Sequence, residues 1–135
     1  EAVQAATLQN LTDDSHEYLL ALAQDEELNR VWRKGVTEGV DALDESEASR
    51  LNFLYRSQWI RFQNAYLQWR RGTLGEDDWR FYEGVICRRE GDEGSPSLRG
   101  TTWNDHRGAL TEGFVAFVEG CWTRRDPAWQ RDRAD

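Results

Sequence analysis

Methionine is absent from this chain, including at position 1, lysine occurs once as Lys34, and proline only at Pro96 and Pro127. So little proline leaves long helices unobstructed. No apolar run reaches the roughly 18 residues that a bilayer-spanning helix needs, so none is encoded. The opening "EAVQAATLQNL" is too polar for a signal peptide. With no methionine at position 1, a membrane segment upstream of Glu1 stays open.

Histidine and cysteine are scarce as well: His16 and His106, Cys87 and Cys121. No CxxC or HExxH spacing occurs, nor a repeated Glu-x-x-His, so the residues assemble no zinc or di-iron ligand set and no metal or cofactor is expected. The serines Ser46, Ser49 and Ser57 stand in no nucleophile elbow, and "GTLGEDD" lacks the Lys-Ser/Thr of a phosphate loop. No catalytic residue is assigned. Each cysteine lies on the apolar side of its helix, where buried free thiols are the first expectation and a disulfide between them the second.

What the chain does hold is enough to fold. Its 135 residues suit one domain, and 39% hydrophobic content with seven tryptophans supplies a core. The patterning is helical throughout. A short or frayed helix fits residues 2–10. A second opens at Thr12 or Asp13 with Tyr18, Leu19 and Leu22 on its apolar side. A third, "DEELNRVWRKGV", aligns Leu28, Val31, Trp32 and Val36. The longest covers residues 44–71: Asp44 and Glu47 have capping-box spacing, and Gly72 is placed to stop it. Three acids open "EDDWRFYEGVICRRE", with Trp79, Tyr82, Val85 and Ile86 on one side. "GDEGSPSLRG" reads as a loop, and a last helix spans residues 102–122. The expected fold is all-α, a bundle of four to five helices forming one domain over residues 1–122, followed by a polar, flexible tail at 123–135.

The long helix carries the most information. On a wheel of about 100° per residue, Leu51, Leu54, Tyr55, Phe62, Ala65, Tyr66 and Trp69 form one apolar stripe, and Phe53, Ile60 and Leu67, seven apart, form a second on the opposite side. Two apolar faces put the helix at the centre of the bundle, or else turn the second face to a partner. In the latter case Phe53, Ile60 and Leu67, with Arg50 and Arg61 beside them, are the contact residues.

Residues 49–71 also hold five arginines and no acid, net +5, between segments of net −9 (1–48) and −4 (72–98), in a chain of net charge −8. The arginines scatter around the helix instead of forming one phosphate-binding stripe, which argues against nucleic acid. The flanking segments are expected to neutralise them.

The order of features, "LDESEASR" opening a long aromatic helix, then "RRGTLGEDDW", a Gly/Pro loop and Trp103 opening a last helix, resembles a group of uncharacterised bacterial proteins over roughly residues 10–122. In that group an N-terminal membrane helix precedes a short helical domain. The resemblance implies a membrane anchor before Glu1 and no activity or site residues, with a cytoplasmic or membrane-associated location.

The expected function is a non-catalytic protein-interaction or accessory domain, with a protein partner or a second copy as its ligand. The alternative is a small ligand-binding or enzymatic domain with a pocket near Trp103, His106 and Arg107.

Overall fold

A computed structural model describes residues 2–88 and 103–125. They form an all-α bundle: α1 (Ala2–Gln24), α2 (Glu26–Glu38), a single 3₁₀ turn (Val40–Ala42), α3 (Glu45–Arg70), α4 (Glu76–Cys87), α5 (Trp103–Arg107) and α6 (Glu112–Arg125). The expected loop at 91–100 and the part of the tail beyond Arg125 lie outside the described residues.

Local chemistry sets the boundaries. The Asp44 carboxylate accepts from the Glu47 backbone N–H at 2.8 Å while Glu47 accepts from the Asp44 N–H at 3.0 Å, so the capping box that starts α3 is complete. Gly72 ends it with φ at 79°, a left-handed conformation that costs glycine least. Gly39, at φ 91°, ends α2, which runs three residues past the "RKG" where basic side chains would have closed it.

Two boundaries differ from the sequence pattern. Residues 2–10 are not a separate helix: α1 passes through Thr12 and Asp13 without a break. The single helix expected at 102–122 is two. The chain turns after Arg107, with the Ala109 and Leu110 N–H groups bonding back to the His106 and Arg107 carbonyls. The Thr111 N–H is taken by Gln63 Oε1 of α3 at 2.7 Å before α6 begins. A tertiary hydrogen bond therefore fixes the break, and helical periodicity read straight through it.

Along its inner side α3 crosses two separate cores. Its first half supplies Leu51, Leu54 and Tyr55 to a small core closed by Val31 of α2, with Tyr18, Leu22, Leu28 and Trp32 packed on its edge. Its second half enters an aromatic core. There Trp59 meets Trp103 (4.6 Å between ring centroids), Trp122 (5.9 Å) and Phe114, and Tyr66 and Trp69 meet Trp79, the last two rings stacked 4.7 Å apart. α1 runs antiparallel to α3: Gln4 Nε2 donates to the Gly72 carbonyl at one end, and Tyr18 packs near the Leu51 layer at the other.

Cys87 and Cys121 are disulfide-bonded, Cα to Cα 5.4 Å, joining the end of α4 to α6. The pairing replaces the expected free thiols. α4 and α6 run side by side, as the neighbouring bond from Trp122 Nε1 to the Ile86 carbonyl (3.0 Å) also shows, and this adjacency brings the two sulfurs together. Among the described residues no helix is long and apolar enough to cross a membrane.

Candidate functional site: the outer face of α3

The inner stripe of α3 is buried, and its outer stripe is not covered. Phe53 is 67% exposed and Ile60 51% exposed, whereas Leu67, one further repeat along, is half-buried. The helix is thus packed on one side and open on the other, which corrects the central placement that two apolar faces suggested. Periodicity records where apolar groups point, and here no neighbouring helix reaches the second direction. An open groove at the N-terminal end of this face is lined by Asp44, Glu45, Ser46, Ser49, Arg50 and Phe53.

The arginines do not pair as the segment charges suggested. Arg50, Arg56, Arg70 and Arg71 are exposed, and among the described residues none of them lies within ion-pair distance of a carboxylate. Arg70 rests over the Trp69 ring. The cross-helix pairing runs the other way: Arg30 and Lys34 of α2 grip Glu47 of α3, at 2.9 and 3.0 Å. The Asp44 N–H bond and these two cations hold the Glu47 carboxyl down at about 2.

Arg61 is separated from the other contact residues. Its guanidinium lies 4.1 Å from the Tyr18 ring centroid, its Nη1 donates to the Asp14 carbonyl at 3.4 Å, and its Nε has no hydrogen-bond partner among the described residues. Burial lowers its pKa, opposed by nearby Tyr18, Tyr82 and Asp14. The side chain is held against α1, serving the fold and not the outer face. Of the five contact residues, then, Phe53, Ile60 and Arg50 are open, Leu67 is partly so, and Arg61 is engaged.

Trp103, His106 and Arg107 of the alternative site fall together on α5. Trp103 is in the aromatic core and donates through Nε1 to Glu119 at 2.8 Å; Arg107 Nε meets the same carboxylate oxygen at 3.2 Å. His106 is 1% exposed, and neither ring nitrogen has a hydrogen-bond partner among the described residues. Burial lowers its pKa, with help from Arg56 and against Asp105. Arg107 and Glu119 border an open groove with Leu110 and Val115.

Glu119 was invisible to sequence reasoning as a structural acid; the one signal was a lone carboxylate inside the apolar run "GFVAFVEGCW". His16 is exposed on α1, and among the described residues no three His, Cys, Asp or Glu side chains group as metal ligands.

No protein-family model, curated protein or solved structure matches this chain.

Proposed function

We propose that this chain is a non-catalytic helical interaction domain that docks a protein partner on the outer face of α3. The observation that carries this reading is the pair Phe53 and Ile60, large apolar side chains seven residues apart and both more than half exposed, on a helix whose opposite side is fully engaged. Such groups gain nothing for the monomer and are removed from water only when something covers them. Unpaired arginines beside them add orientation and encounter rate more than affinity. The groups at α5 support a structural role: the Glu119 carboxylate, shared by Trp103 and Arg107, ties α5 to α6.

The double substitution Phe53→Ser with Ile60→Ser tests whether the face belongs to the monomer. The melting temperature is expected to stay within a few degrees of the parent, since exposed substitutions cost about 0.5 kcal/mol or less. A drop comparable to that of a core truncation would place both residues in the core and end the docking reading. A photocrosslinker at position 60 then tests for the partner. It should give one discrete protein adduct, absent with the crosslinker at exposed position 83 on α4 and reproduced with the purified partner. Equal labelling at both positions refutes the site.

A further inference from the structure

We infer that the partner covering this face is an acidic amphipathic helix, one that presents an apolar stripe flanked by carboxylates. The inference rests on the docking reading above and names the chemistry of its ligand.

Three observations converge. First, Phe53, Ile60 and Leu67 repeat every seven residues and so stay on one line for about 21 Å of helix, the spacing that a second helix packed alongside would match. Second, from Ser49 onward the charged residues that border this line are all cations, the acids Asp44 and Glu45 lying only at its N-terminal end. At about 100° per residue, Arg71 continues the line itself, Arg56 lies about 40° to one side of Ile60, and Arg50 and Arg70 lie about 80° to either side. After Glu47 there is no acid on α3, and the next in sequence is Glu76. Third, these guanidinium groups lack carboxylate partners among the described residues, although the chain has 25 acids to 17 bases. Among the described residues the cross-helix ion pairs fall on Glu47 and Glu119, and Arg50 acts on Glu27 only at longer range.

Charge then decides between occupants. A second copy laid antiparallel through its own α3, centred on Ile60, brings the Arg50 end of one helix against the Arg70–Arg71 end of the other. A parallel pair sets Arg56 beside Arg56. Both arrangements set like charges against each other along the line. A long polyanion such as duplex DNA is repelled by the net charge of −8 beyond the strip, and its phosphates offer nothing to Phe53 and Ile60. A single helix with carboxylates on both borders of an apolar line satisfies the strip while touching little else.

The probe is a synthetic helical peptide of about 21 residues with leucines on one stripe and glutamates on both flanks, next to a sister peptide with lysine at every glutamate. Binding is read by fluorescence anisotropy. The glutamate peptide should bind at least about tenfold tighter than the lysine peptide and weaken as salt is raised. Arg56→Glu with Arg71→Glu should reverse the preference, and Phe53→Ser with Ile60→Ser should weaken both peptides.

Equal affinity for the two peptides, no binding of the glutamate peptide, or binding that ignores these substitutions overturns the inference. So does a monomer–dimer equilibrium that Arg56→Glu alone strengthens, or binding of duplex DNA or anionic vesicles in place of the glutamate peptide. If position 60 crosslinks to a protein while the glutamate peptide fails, the acidic-helix assignment falls and the docking face stands. If position 60 yields no adduct and Ile60→Ser is without effect on the peptide, both fall.

Discussion

The two halves of α3 solve the same packing problem with different chemistry. The second half is locked into a core that, among the described residues, buries seven aromatic side chains, Trp59 among them, with Tyr66, Trp69 and Phe117 packed on it and a disulfide at its edge. The first half has a core of four buried side chains, of which only Tyr55 is aromatic, and is joined to α2 by Arg30 and Lys34 on Glu47. Buried ring area supplies more stabilisation per residue than any surface ion pair, so the aromatic half anchors the fold, while the smaller half holds α2 through Val31, Leu28 and Trp32 with the Glu47 ion pairs added. The outer face, with Phe53 above the weaker half and Ile60 near the junction, straddles this boundary.

The sharpest break in the comparison is Trp59→Ala against Leu51→Ala. The first should cost about 4–5 kcal/mol and the second about 2–3, because the smaller cluster around Leu51 collapses more readily on a void. Urea titration measures both, and equal losses would erase the distinction between the cores.

A smaller effect is expected at Glu47. Its carboxyl sits at about 2 in the folded protein against an ordinary 4.5, so its contribution is full above pH 4.5 and is lost as pH falls toward 2. Glu47→Gln should lower the melting temperature at pH 7 by several degrees and flatten the acid limb of the stability profile. Unchanged melting would mean that the box and the two cations are dispensable.

Smaller still is the effect of His106. Its pKa is lowered by burial, so the unfolded chain takes up the proton first. Stability is retained above the ordinary value of 6.5 and declines as pH drops from there toward the lowered folded value. His106→Phe should remove that decline, read from denaturation midpoints between about pH 7 and 5. A slope unaltered by the substitution would place the titration elsewhere.

Much of the fold was legible because its signals are local. Asp44, Glu47 and Gly72 bound α3 through their own side chains and backbone freedom, and Leu51, Tyr55, Phe62 and Ala65 declare an inner stripe by spacing alone. What was illegible depended on residues distant in sequence. The break before α6 is set by Gln63, 48 residues from the N–H it accepts. The disulfide needs α4 and α6 to lie side by side, which a separation of 34 residues does not specify. Phe53 and Ile60 share a second stripe by spacing, yet a wheel cannot say whether a helix lies over it. Arg61 was grouped with Arg50 by angle, and a single tyrosine on α1 removed it from that group.

The bond between Cys87 and Cys121 also changes how the chain responds to being cut. A single backbone scission anywhere from Arg88 to Gly120 yields two pieces that stay tethered, so damage there releases no fragment until a reductant acts. Trp59 and its ring neighbours would then keep their α4 and α6 contacts through a nick that would dismantle an unstapled bundle.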